Sequence, residues 1–155
     1  MTLRGDDTSQ IRLITSFNDA PFAYGTIRQL MDSGFVSPTP IQSAAWPTIV
    51  AGRDCLGIAQ TGSGKTLGFL LPVFQALQAR PEQGGRGPKS PALLVMAPTR
   101  ELACQIEVEA AKFGRPLGLR SACVYGGAPK SLQIRQIRDG VDVIIQTSML
   151  TTTLR

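Results

Sequence analysis

Apolar residues fall in short runs separated by glycine- and proline-rich breaks, a pattern of buried strands alternating with helices. Cys55-Leu56-Gly57-Ile58 reads as a short buried strand, and Leu67 to Leu77 as an apolar helix. Ala92 to Ala97 reads as the next buried strand. A helix follows, with Arg100 on its first turn. It is predicted to run to about Phe113, with Leu102, Ile106, Ala110 and Phe113 on one face and Gly114 as its stop. Ser121 to Tyr125 reads as a third strand. Lys130 to Asp139 reads as a short helix with Leu132, Ile134 and Ile137 inward, and Gly140 to Ile145 as a fourth strand. Strands alternating with helices predict an α/β fold around a mainly parallel sheet, with helices on both faces.

The first third of the chain is helical. Residues 1–16 are polar and without sustained periodicity, and read as a flexible lead-in. Pro21 opens an amphipathic segment, Tyr24 to Met31. Pro38 and Pro40 break regular structure, and Thr39 is placed to cap a helix from Ile41 to Val50. Pro47 lies inside that helix and should kink or restart it. Gly52-Arg53-Asp54 turns the chain into the first strand. Residues 81–91, rich in glycine and proline, should form an exposed, mobile connection.

Composition narrows the class. Hydrophobic residues make up 43% of the 155, which suits one domain with a real core and excludes a disordered chain. No apolar run is long enough to span a bilayer, and Met1 to Asp7 lacks the apolar core of a secretory signal. Cys55, Cys104 and Cys123 have neither metal-ligand nor redox spacing. They read as buried thiols in a reducing, intracellular compartment. Histidine is absent, which excludes histidine triads and histidine metal sites. Net charge is +5. Residues 1–78 carry five basic and five acidic side chains, and residues 79–155 carry eleven basic and six acidic ones. The whole excess lies in the second half. It suits either a polyanion partner there or a solvated surface rich in arginine.

The candidate chemistry centres on Ala59-Gln60-Thr61-Gly62-Ser63-Gly64-Lys65-Thr66. A glycine-rich turn between a strand and a helix can curl its N–H groups around phosphate oxygens, and the helix start adds free donors and a positive dipole end. Lys65 would reach the β- and γ-phosphates of a nucleotide, and Thr66 would place its hydroxyl on Mg²⁺. The bland alternative is a glycine-rich hairpin tip that binds nothing.

Gly34-Phe35-x-x-Pro38-Thr39-Pro40-Ile41-Gln42 resembles the Q motif of DEAD-box ATP-dependent RNA helicases. Phe17 stands 17 residues before Gly34, where that family carries an isolated aromatic. The family's phosphate loop reads Ala-x-Thr-Gly-x-Gly-Lys-Thr, so Ala59 is expected there. The resemblance implies a P-loop NTPase of RecA-like fold, with ATP and Mg²⁺ as cofactors. A carboxamide donates and accepts at once, which matches the N6/N7 edge of adenine, so Gln42 would read the base and Phe17 would stack on it. In the bland reading Gln42 is a surface amide and Phe17 a core residue. Pro98-Thr99-Arg100-Glu101-Leu102-Ala103 is similar to the family's motif Ia, and Gly126-Gly127 to its glycine doublet. Both motifs imply contact with RNA phosphates, with little sequence preference, through Thr99, Arg100, Gly126 and Gly127. Arg100 paired with a structural carboxylate, and Gly126-Gly127 as an ordinary turn, stay open.

The resemblance covers residues 17–147. The family pattern would continue Ala-Thr-Pro-Gly-Arg, whereas this chain has Gln146-Thr147-Ser148-Met149-Leu150, so 148–155 reads as a divergent tail. The acidic box and the second RecA-like domain do not occur in these 155 residues, which makes the domain incomplete. No acid follows Asp142 to hold metal or orient water. The expectation is therefore an ATP- and RNA-binding portion of a helicase that alone neither hydrolyses ATP nor unwinds RNA. One rival is a non-enzymatic fragment that binds nucleotide or a protein partner and competes with a full-length helicase. Another is a small-molecule kinase, which would leave the Q-motif spacing and residues 98–103 unexplained.

Overall fold

The computed structural model describes residues 11–79 and 90–148. The 81–91 connection lies almost wholly outside them, as do residues 1–10 of the lead-in and 149–155 of the tail. The chain forms two compact units, Met1–Ala79 and Arg80–Arg155.

The first unit is helical. A 3-10 turn at Phe17–Asp19 precedes α1 (Tyr24–Asp32), α2 (Pro40–Val50) and α3 (Lys65–Gln78). Its centre is Trp46 on α2, fully buried. The Phe22 ring meets the indole edge-on at 4.9 Å between centroids, and Phe17 lies tilted at 6.3 Å. Leu67, Leu70, Leu71 and Phe74 supply the buried side of α3, which packs on α2. Pro47 does not restart α2, which runs as one helix to Val50. Proline has no N–H, so the Ser43 carbonyl one turn back loses its helical donor. Ile14 takes the place, donating its N–H to that oxygen at 3.1 Å. This bond corrects the flexible lead-in: Ile14 is buried, and the Ser16 side chain caps the 3-10 turn by accepting from Asn18 N.

The strand expected at Cys55–Ile58 does not form. These residues have no regular structure, and Leu56 and Ile58 are about nine-tenths exposed, at 90% and 89%. An apolar tetrapeptide asks for burial but does not name a pairing partner, and a strand exists only through its ladder. Cys55 is exposed with them, against the expectation of a buried thiol, and Cys104 and Cys123 are half-buried.

The second unit is α/β: β1 (Leu93–Ala97), α4 (Arg100–Gly114), a 3-10 turn (Arg115–Leu117), β2 (Ser121–Val124), α5 (Lys130–Arg138) and β3 (Val143–Thr147). The three strands are parallel in the order β1-β3-β2. The connection through α4 steps across β3 and the one through α5 steps back, so right-handed crossovers put the two helices on opposite faces. Leu93, Val143 and Ser121 share one level of the register, and Val95, Ile145 and Cys123 the next. That face packs on α4 through Ala103, Ile106, Ala110 and Phe113. The opposite face is buried at Ala122 and Val124 on β2 but open on β1, where Leu94 is 55% and Met96 53% exposed.

Three expectations about these helices change. Leu102 faces outward from α4 at 38% exposure, and Ala103 holds the inward position. Gly114 ends α4 as expected but is no left-handed cap: it is buried with right-handed backbone, and the chain runs on through the 3-10 turn to a left-handed Gly118. On α5, Leu132 is 61% and Ile134 38% exposed, and no residue of that helix is buried. Nine residues with three cations make too short a helix to bury a full apolar stripe.

Candidate functional site

The first candidate site is the 59–66 loop and its support from α2. Gly64 is the N-cap of α3 and has φ +83°, a left-handed conformation that an L side chain adopts only under strain. Its surroundings are also full, since a Cβ built there would stand 2.5 Å from Gln42 Nε2 and 3.1 Å from Thr39 Oγ1. Gln42 is fully buried. Its Oε1 accepts from Thr39 N at 3.0 Å, which is the glutamine half of a capping box, and its Nε2 donates to the Gly64 carbonyl at 3.1 Å. Trp46 Nε1 donates to the Leu67 carbonyl at 3.1 Å. Two side chains of α2 thus hold the loop's end and the first turn of α3.

Inside the loop, the Lys65 ammonium donates to the Ala59 carbonyl and, at 2.6 Å, to the Gln60 carbonyl. Ser63 Oγ is buried without a hydrogen-bond partner. Gly62 has φ +75° with open space where a Cβ would be. Thr66 is half-buried on the first turn of α3, where N–H groups lack intrahelical partners. A concave loop with an orphaned hydroxyl, a cation and a helix start fits an anion of phosphate size. Thr61 is exposed at its rim.

The residues expected to hold an adenine have other partners here. Phe17 is 5% exposed and packs on Trp46, so its ring belongs to the core. Gln42 is no surface amide, and both ends of its carboxamide are engaged within the chain.

The second candidate site lies in the other unit, where α4 begins and β2 ends. Thr99 caps α4, its Oγ1 accepting from Leu102 N at 3.2 Å. Arg100 is exposed, with its guanidinium 4.2 Å above the Tyr125 ring. No carboxylate pairs with it among the described residues. Gly127 has φ +83°, Gly126 does not, and both are exposed with nothing near their would-be Cβ atoms. Their bareness serves no packing among the described residues and leaves the backbone open to close approach.

Sequence reasoning passed over Gln133, which shapes this turn. Its Oε1 accepts from Tyr125 N at 3.0 Å and its Nε2 donates to Tyr125 O at 3.1 Å, a two-point clamp like a strand pair. The same nitrogen reaches the Ala128 carbonyl at 3.4 Å. Gln133 thereby spans the Gly126-Gly127 turn from both sides. The available signal was a carboxamide eight residues after Tyr125, one of two glutamines on α5. One α4 turn beyond Cys104, Ser121 Oγ donates to Glu107 Oε1 at 3.0 Å. Burial holds the Glu107 carboxyl above its ordinary range, against the opposing pull of Ser121 and Arg115.

A helix-rich α/β fold with a small parallel sheet, carrying a glycine-rich loop before a helix, defines the class. Residues 39–154 match the family model described as DEAD/DEAH box helicase, and the chain belongs to that family. It is 48% identical over 148 residues to the ATP-dependent RNA helicase DBP2 of Candida albicans, covering 95% of this chain and 25% of that protein. It is 50% identical over 131 residues to DEAD-box ATP-dependent RNA helicase 30 of Arabidopsis thaliana, covering 84% of this chain and 22% of that one. The chain thus spans about a quarter of the length of the curated relatives it matches. Among solved structures it resembles the RNA helicase Prp28 of Chaetomium thermophilum bound to ADP. The TM-score is 0.77 and the identity 36%, over 87% of this chain and 32% of that one. The chain corresponds to part of the N-terminal, RecA-like domain of these helicases. No described helix is long and apolar enough to cross a membrane.

Proposed function

We propose that this chain is the ATP- and RNA-binding portion of an ATP-dependent RNA helicase, with residues 17–147 as its domain. ATP or ADP docks by its phosphates in the 59–66 loop, where Lys65 supplies the cation and Ser63 and the loop amides supply donors. Thr66 offers the hydroxyl for Mg²⁺, which neutralises phosphate charge when bound. The observation that carries this reading is the Lys65 ammonium held inside the loop by its own carbonyls. A phosphate replaces those neutral acceptors with anionic ones, which adds the attraction of opposite charges to the hydrogen bonds. The ADP bound to the related Prp28 supports the same assignment. RNA phosphates lie against Thr99, Arg100 and the Gly126-Gly127 turn, in the half that carries the +5 excess.

Gln42 acts in this reading by holding Gly64, and its second N–H and second oxygen lone pair are what it could offer an adenine edge. These 155 residues contain no acid after Asp142, so on their own they bind nucleotide without appreciable turnover. The setting is intracellular, as for any RNA-dependent ATPase. A second reading, a non-enzymatic fragment that binds nucleotide or a protein partner and competes with a complete helicase, shares the first site and needs no contact with RNA.

Calorimetric titration with Mg-ADP tests the core of the proposal. Lys65→Ala should weaken binding by about 1.5–3 kcal/mol, one to two decades in Kd. Equal affinities for the two chains would refute the phosphate assignment.

A further inference from the structure

One face of α4 and one face of β2 meet in a ladder with two fixed rungs. At one end Ser121 Oγ donates to Glu107 Oε1 at 3.0 Å. At the other the Arg100 guanidinium lies 4.2 Å over the Tyr125 ring. Arg100 and Glu107 are seven residues apart, about 10 Å along a helix. Ser121 opens β2 and Tyr125 directly follows it, four residues on, about 13 Å if extended. The helix therefore runs antiparallel to the strand, with its rungs in matching order. Cys104 falls between the helix rungs, and Cys123 falls between the strand rungs on the same face. Both are half-buried.

We infer that Cys104 and Cys123 form an oxidisable dithiol, a modification site that a peroxide-class oxidant converts to a disulfide joining α4 to β2 beneath Arg100 and Tyr125. A disulfide requires Cα atoms within about 7 Å. Between a hydrogen bond on one side and a ring contact on the other, the two thiols lie within hydrogen-bonding reach of each other. Burial, and after it the adjoining Cys104 thiol, push the Cys123 thiol up to about 12, so the two sulfurs act on each other directly. Hydrogen peroxide gives one of the two sulfurs one oxygen: an S–O bond forms, the O–O bond breaks, and the other oxygen leaves as water. The second sulfur then attacks the sulfenic sulfur. An S–S bond forms, the S–O bond breaks, and the hydroxyl leaves as a second water with the thiol proton. The dithiol loses two electrons, and the peroxide gains them.

The test treats the full chain with hydrogen peroxide, alkylates free thiols under denaturing conditions and maps tryptic peptides by mass. Free thiols should fall from three to one, the peptides 101–112 and 121–130 should be joined with loss of two hydrogens, and a thiol reductant should release them. Cys55→Ser should leave the bridge intact, and Cys104→Ser should abolish it. Separate oxygen adducts on Cys104 and Cys123, bridges to Cys55, or three thiols still alkylated would each overturn the proposal. The joined peptide is read on the unsubstituted chain, so a poorly folded variant does not blunt the test.

Discussion

Replacing Gly64 by alanine should do two kinds of damage, and they can be separated. The first is backbone strain: at φ +83° an L side chain costs about 1–2 kcal/mol. The second is collision, since the new Cβ would stand 2.5 Å from Gln42 Nε2 in a side chain with no exposed surface. If the carboxamide is pushed out, its bonds to Thr39 N and Gly64 O go with it, at about 0.5–1.5 kcal/mol each. The single substitution should therefore cost about 2–5 kcal/mol. Gln42→Ala alone should cost about 1–3 kcal/mol for the same two bonds. In the double variant no carboxamide is left to displace, and Gly64→Ala adds only its strain. The pair should fall short of additivity by about 1–3 kcal/mol. Urea unfolding followed by tryptophan fluorescence reads this unit selectively, because Trp46 is the chain's sole tryptophan and lies buried on α2. Additivity within about 0.5 kcal/mol would show that Gly64 and Gln42 do not share space, and the account of the loop's support would fail.

Three further outcomes are expected. Arg100→Ala should reduce the slope of log affinity against log salt for a single-stranded RNA by about 0.7, measured by anisotropy across a salt series; an unchanged slope would place Arg100 off the RNA. Gln133→Ala should speed amide exchange across residues 125–128 and weaken RNA severalfold while leaving Mg-ADP affinity alone; unchanged exchange would show that the turn holds its own shape. Glu107 has a raised carboxyl in the folded state, so its contribution favours folding at acid pH and is lost as pH rises through the folded value. Glu107→Gln should accordingly raise the calorimetric midpoint at neutral pH, with the advantage vanishing well below the ordinary carboxylate range; a lowered midpoint at neutral pH would contradict the burial argument.

The legible parts of this chain were those where chemistry dictates a local geometry. Thr39-Pro40 announced a helix start, and Gly64-Lys65 a turn into α3. The alternating strands and helices after residue 92 gave the parallel sheet. The misread parts depend on partners distant in sequence. Leu56 and Ile58 asked for burial but could not say against what. Leu132 and Ile134 had helical spacing, yet α5 offers too little surface to cover them. Pro47 looked like a break because the donor that relieves it, Ile14 N, lies 33 residues earlier. Phe17 and Gln42 stood at positions that a base could use, and only the structure shows the tilted contact with Trp46 and the bridge to Gly64.

Pro72 sits inside α3, fully buried, and has no N–H to give the Gly68 carbonyl. The helical ladder is thus interrupted one turn behind Lys65. Ahead of that gap, the Gly64 and Leu67 carbonyls are gripped by Gln42 and Trp46. Mechanically, the first turn of α3 is fastened from outside, by α2, as well as by its own helix, so a pull on the loop is shared between two helices.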